Sequence, residues 1–253
     1  MRATCSSSSG NGAALSARGN MATISDEVVE EWLKRSRRKN GPLERKFSKE
    51  LLKTTGERAI HLLLKLNDFL IGMAFKTSTH PRGVFSEFRL GQDFRSDYVA
   101  VSSCSGWYDV NFIELESPKE RLFLKDGTPS KPLRIAQRQI SDWKDWYRKN
   151  ENTLRTALID LFSKANMHAT GAISEVADAA DELGNPNCAL TCRFWIVVGR
   201  RDSLSKLDDQ RRGIELNENE ISICTYDRIL EAARRYDQAD RITKEGFRYW
   251  KGG

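Results

Sequence analysis

Apolar and polar residues alternate along this chain at two periods, and the change from one to the other marks out its elements. From Pro42 to about Phe75 the apolar positions Leu51, Leu52, Ala59, Ile60, Leu63, Leu64, Leu66, Leu70 and Ile71 keep helical spacing, with Pro42 suited to a first turn and Gly56 to a break. This predicts one long helix or two consecutive ones. The Thr77–Gly83 run ends the helical part, after which Val84–Leu90, Asp97–Val101 and Val110–Pro118 read as strands. Ser102 to Gly106 is turn material, which predicts an antiparallel hairpin. Centred on Ser105 and Gly106, the turn sets Val101 opposite Val110, Val99 opposite Phe112 and Asp97 opposite Glu114. Helical spacing returns from Leu133 to about Asn150, where Ala136, Ile140, Trp143 and Tyr147 form one stripe. A second helix runs to about Lys164, and an acidic, alanine-rich one from Ile173 to Leu183 reads as an insertion. Arg193–Val198 has the β-branched and aromatic content of a buried strand, and Glu220–Cys224 is another, with Thr225 placed to cap a helix from Tyr226 to about Gln238.

Composition narrows the reading. Residues 1–20 are mostly Ser, Gly, Asn and Ala with two arginines and no acid, too little apolar surface to order themselves, and they are expected to be a disordered extension. Met21 begins better-patterned sequence, and the acid-poor leader reads as an upstream extension or a transit peptide. Ser25 offers an N-cap for a short helix that ends in the basic run Arg35–Lys39. The expected organisation is therefore 1–20, a helical N-terminal region at 21–83, an α/β domain at 84–240 and a tail at 241–253. The 41 Lys and Arg against 35 Asp and Glu give a net charge of +6, which permits a polyanionic partner. No run of about 18 apolar residues and no secretory leader is present, so a soluble, cytoplasmic chain without membrane association is expected. Five scattered cysteines point to reduced thiols, and Cys188 and Cys192 lack the second pair a zinc site needs.

The chemistry concentrates on Val110–Pro118. Strand alternation puts Val110, Phe112, Glu114 and Glu116 on one side and Ile113 and Leu115 on the other. With Asp97 opposite Glu114, three acids converge at one end of a sheet face, where they repel one another unless a cation is present, and a hard divalent metal fits oxygen ligands. Glu87 reads more readily as a solvated or ion-paired side chain than as a fourth acid of the metal site, and His61 as a structural histidine with no second ligand three or four residues away. The loop Lys119–Pro132 carries Lys119, Arg121, Lys125 and Lys131, which either contact phosphates or are simply solvated. Glycine-rich phosphate loops, G-x-S-x-G elbows and His-E-x-x-His helices are absent, and the histidines at 61, 80 and 168 are too scattered to suggest acid–base catalysis.

Asp97, followed after sixteen residues by Glu114-Leu-Glu116, resembles the PD-(D/E)xK nuclease signature. Phe112-Ile-Glu-Leu-Glu-Ser-Pro118, Leu122-Phe123, Asp126-Gly127, Ala136-x-x-Gln139, Asp142-Trp143, Val197-Val-Gly-Arg200 and Thr225-Tyr-Asp227 together resemble the Shedu antiphage nuclease family over roughly residues 84–235. The resemblance implies a restriction-endonuclease-like mixed sheet flanked by helices, preceded by a helical N-terminal part. It implies a metal-dependent DNA endonuclease in which Asp97, Glu114 and Glu116 hold Mg²⁺, or Mn²⁺ in its place, with DNA as the partner. Gln139, rather than Gln137, has the spacing to Trp143 found in helices behind such sites, and is expected either to point at the acids or to be a helix-surface amide. A homo-oligomer is expected. The pattern usually has Lys where this chain has Glu116, although some members of the wider superfamily carry Glu there and remain active. The alternative is a catalytically inactive nuclease fold serving as a DNA-binding or assembly module.

Overall fold

The computed structural model describes residues 41–53, 57–168 and 174–239, so the expected extension at 1–20, the short helix after Ser25 and the tail at 241–253 lie outside the described residues. The N-terminal helical pattern resolves into α1 (Pro42–Lys53), α2 (Glu57–Lys65) and α3 (Phe69–Phe75). The break between α2 and α3 falls at Asn67, whose side-chain amide donates to the Leu63 carbonyl at 2.9 Å and so competes with continuation of the helix.

Five strands follow: β1 (His80–Leu90), β2 (Phe94–Cys104), β3 (Trp107–Leu115), β4 (Ala189–Val197) and β5 (Ile221–Cys224). They lie side by side in chain order, with β1, β2 and β3 antiparallel and β3, β4 and β5 parallel. The β2–β3 turn takes positive φ at Ser105 (29°) and Gly106 (94°), and the pairs Val101↔Val110 and Val99↔Phe112 form in the register that the alternation predicts. Register holds because a slip of one residue would turn every buried side chain of a strand to the other layer.

Helices cover both faces. On one, Val99, Val101, Val110, Phe112, Phe194 and Ile196 pack with Leu133, Ala136, Ile140 and Trp143 of α4 (Lys131–His168). The two helices expected over 133–164 are joined as α4 and meet at a kink, Asn150 (φ −134°, ψ 31°), whose side chain donates to the Trp146 carbonyl at 2.8 Å. The acidic helix, α5 (Ser174–Gly184), buries Ala179 and Leu183 in this same core, so it is a packed element of the layer and not the appended insertion its composition suggests. On the other face, Tyr98, Ala100, Ile113, Leu115 and Val197 pack with Phe47, Ile60, Leu64 and Ile71 of α1 to α3 and with Ile229 and Ala233 of α7 (Asp227–Gln238). Tyr226, not Thr225, holds the N-cap position of α7, and no side chain caps it. Between β4 and β5 lies α6 (Lys206–Asn219), which hydrophobic spacing alone does not announce; its start is marked by a capping box in which Ser205 and Asp208 satisfy each other's backbone N–H.

Candidate active site

The parallel strands β3, β4 and β5 finish at the same side of the sheet, the usual place for ligands in parallel sheets. Beyond their ends the backbones stay tied together. The Glu116 N–H donates to the Val197 carbonyl (2.8 Å), Gly199 to Ser117 (3.1 Å), Val198 to Cys224 (2.9 Å) and Tyr226 to Gly199 (3.1 Å). The fully buried Tyr226 hydroxyl donates to the Glu116 carbonyl at 2.7 Å, which holds the backbone of this half-buried acid in place. Gly199 has φ 64°, and a Cβ there would stand 2.5 Å from the Glu120 carbonyl oxygen, so only glycine lets the Val198–Arg200 turn close on the chain leaving β3. Arg200 then reaches Asp227 with two nitrogens (3.2 and 3.1 Å), and the Arg201 N–H donates to the same carboxylate at 2.6 Å. Burial pushes the Asp227 carboxyl up, but the Arg200 guanidinium, the Arg201 N–H and the Thr225 hydroxyl outweigh it and hold the group below its ordinary value.

The Val197-Val-Gly-Arg200 and Thr225-Tyr-Asp227 segments therefore meet at the strand end that carries Glu114 and Glu116. The Asp126-Gly127 pair builds a turn in which Asp126 accepts from the Thr128 N–H (2.9 Å) and hydroxyl (2.8 Å), and these bonds hold its carboxyl below the ordinary value. This turn rests on α6, where Arg211 stacks over Phe123 at 5.4 Å.

Asp97 approaches from β2. Extending the pairing Tyr98↔Ile113 by one residue puts Asp97 across from Glu114, as the hairpin register requires. Ladder pairing stops there, and Asp97 Oδ2 accepts the Leu115 N–H at 2.7 Å instead. Facing changes at this point too. On β1, Glu87 takes φ 55° between the pairs Ser86↔Tyr98 and Phe88↔Ser96, and Phe85 and Phe88 both pack on the α4 side, so alternation skips a step where Glu87 and Asp97 face each other. Asp97 therefore does not continue the Val99 face. Its carboxylate lies where the two strands part, on the Leu115 N–H and 3.8 Å from Nε2 of His61 on α2. Asp97 thus reaches the end of β3 at the Leu115 N–H, the amide between Glu114 and Glu116. The Tyr98 hydroxyl, which donates to the His61 carbonyl at 3.4 Å, is pushed well up by burial and then by the negative charges of Asp97, Asp68 and Glu87. His61 is thus a neighbour of the candidate site that sequence spacing did not reveal, because α2 meets β2 only in the folded chain.

Gln139 and Gln137, of which only the first is expected to point at the acids, are both half-buried beside the fully buried stripe Ala136, Ile140 and Trp143. Lys119, Arg121, Lys125 and Lys131 are exposed on the loop after β3 and at the start of α4. Glu87 is exposed and 3.7 Å from Arg95, in keeping with a solvated, ion-paired side chain. Cys104, Cys188, Cys192 and Cys224 are free thiols. Among the described residues no helix is long and apolar enough to cross a membrane. A cleft of about 750 Å³ opens elsewhere, between Lys144 and Arg148 of α4 and Arg193 and Trp195 of β4, and none of Asp97, Glu114, Glu116 and Gln139 lines it.

A mixed five-stranded sheet between two helical layers, with two carboxylates at the end of its middle strand and a third on the antiparallel neighbour, defines an α/β protein with an acidic strand-end site. The family model described as Shedu protein SduA, C-terminal, matches residues 54–230, and the chain belongs to that family. The matched span includes Asp97, Glu114, Glu116 and Gln139 as well as His61. The family is associated with antiphage defence. No curated protein matches the chain.

Proposed function

We propose that this chain is a metal-dependent DNA endonuclease of antiphage defence, built on a PD-(D/E)xK fold, in which Asp97, Glu114 and Glu116 hold Mg²⁺ or Mn²⁺. One observation carries the reading: Asp97 Oδ2 is bonded to the Leu115 N–H, the amide that lies between Glu114 and Glu116 in the chain. Residues eighteen apart are thereby brought to one strand end by a hairpin whose turn and alternation demand that register.

The donor chemistry fits a hard cation, since all three groups offer carboxylate oxygens. Among the described residues no three His, Cys, Asp or Glu side chains form a closed metal-holding set. Magnesium does not need one, because it is usually held by one or two carboxylates while water and substrate phosphate oxygens complete its shell. When bound, such an ion offsets charge on the scissile phosphate and lowers the pKa of water. The protein's own groups do the rest. Asp97 and Glu114 would hold the ion, and Glu116 would serve as a further ligand or as the base that takes the proton of the attacking water, where a lysine would instead supply positive charge. The Gln139 amide orients the water or the phosphate, and Lys119, Arg121, Lys125 and Lys131 neutralise flanking phosphates.

Cleavage of plasmid and single-stranded DNA during a magnesium titration, by wild type and Glu116→Lys, tests this reading. Wild type should cut, chelation should stop it, and the variant should not cut even at saturating magnesium. Cleavage that appears only in Glu116→Lys would overturn the role of Glu116 and favour the inactive DNA-binding or assembly module. The presence of Glu116 in the usual lysine place is the observation on that side.

A further inference from the structure

The free end of the β1–β2 hairpin carries a feature that folding alone does not explain. Arg89 and Arg95 are directly paired across the two strands, both exposed. Opposed like charges, with Cβ atoms about 5 Å apart, destabilise an antiparallel pair. Little offsets them here. Arg95 has only the 3.7 Å contact with Glu87, both side chains being 61% exposed, and Arg89 has no ion-pair partner among the described residues. Surface pairs of this kind contribute little once solvated.

The hairpin end is nevertheless held firmly. Leu90 is fully buried, Phe94 packs against the same core, and Gly91 lies so close to Trp146 of α4 that a Cβ there would be 2.9 Å from the indole nitrogen. Docking of this inner face leaves Arg89 and Arg95 on the outer one. Charged residues on an edge strand can serve to block edge-to-edge aggregation, which would account for Arg89 on β1. It does not account for Arg95, since β2 is flanked by β1 and β3. Arg95 also stands close to the candidate site, because it precedes Asp97 by two residues on one strand, a separation of about 7 Å.

From this placement we infer that Arg89 and Arg95 form a phosphate clamp that grips the DNA backbone next to the bond addressed at Asp97. Arginine suits the task, since its planar fork donates two hydrogen bonds to one phosphate. A phosphate between the two guanidinium groups also converts their repulsion into shared attraction. The inference rests on the nuclease reading above and adds a substrate-binding element distinct from the loop lysines.

Binding of a labelled DNA duplex, followed by fluorescence anisotropy in EDTA so that no cleavage occurs, provides the test. Removing one phosphate-binding cation lowers the slope of log affinity against log salt by about 0.9, so Arg89→Gln/Arg95→Gln should lower it by about 1.8. Between about 50 and 200 mM salt the affinity gap between wild type and variant should then narrow about twelvefold. The control Arg45→Gln/Lys46→Gln removes the same charge from exposed positions on α1 and should leave the slope close to that of wild type. The clamp variant should melt no lower than wild type, because the opposed charges are gone. An unchanged slope in the clamp variant, or an equal fall in the control, overturns the clamp while leaving the nuclease reading to its own cleavage test. Failure of wild type to bind the duplex at all likewise overturns the clamp.

Discussion

Asp97→Asn separates the charge of Asp97 from its hydrogen bond to the Leu115 N–H. Its Oδ2 is an acceptor for the Leu115 N–H at 2.7 Å, and its charge is the contribution to a metal site. Asparagine has the same shape and keeps a carbonyl oxygen for the N–H, so the bond changes from charge-assisted to neutral. The former is worth about 1.5–3 kcal/mol and the latter about 0.5–1.5 kcal/mol, leaving a loss of about 1 kcal/mol. For a chain of this size the melting temperature should fall by no more than about 4 °C. Cleavage should fall far more. Disturbing even the outer partners of metal ligands lowers affinity or activity about 10- to 100-fold, so loss of a ligand charge should exceed about 100-fold. Asp97→Ala is the poorer test, because it strands the Leu115 N–H and adds about 1–3 kcal/mol of destabilisation to any catalytic defect. DNA cleavage across a magnesium titration, read beside thermal melting of the same preparations, decides the matter. An Asn variant that cuts at the wild-type rate would refute Asp97 as a ligand, and one that melts far lower would show the residue to be mainly structural.

Other expected outcomes concern the strand-end scaffold. Gly199→Ala forces a left-handed residue and a 2.5 Å approach to the Glu120 carbonyl, and should cost about 2–3 kcal/mol in chemical denaturation. Tyr226→Phe removes the 2.7 Å bond to the Glu116 carbonyl and should cost about 1 kcal/mol, with a larger proportional loss in cleavage than in stability if Glu116 is catalytic. The Arg200–Asp227 pair carries a pH dependence. Because the folded carboxyl is held below its ordinary value, its stabilisation is complete above the unfolded value of about 4 and is lost as pH falls through the lower folded value. Melting of Arg200→Ala against wild type from neutral to acid pH should therefore show a gap at neutral pH that closes on acidification, and a gap that widens would contradict the assignment.

Short-range pattern was enough to determine much of this chain. Alternation over β2 and β3 and the turn residues Ser105 and Gly106 specified the pairing Val99↔Phe112, since any slip would expose one set of apolar side chains. The stripe Ala136, Ile140 and Trp143 likewise identified the buried side of α4. Hydrophobic spacing left the start of α6 and the end of α2 unread, and the structure puts the Ser205–Asp208 capping box at the first and the Asn67 amide at the second. Other features depend on contacts between distant segments, where neither partner's neighbours in sequence carry a trace of the other. The skip in alternation at Glu87 and Asp97 takes Asp97 off the Val99 face and brings it beside His61, a helix away. Gly199 has to be glycine only because the Glu120 carbonyl passes within 2.5 Å of its missing Cβ. Glu116 is held by Tyr226, 110 residues later, and Arg200 by Asp227 across the end of β5. Local periodicity decides which face of an element is buried, whereas the crossovers of a parallel sheet decide which strand ends meet, and the candidate site lies where they meet.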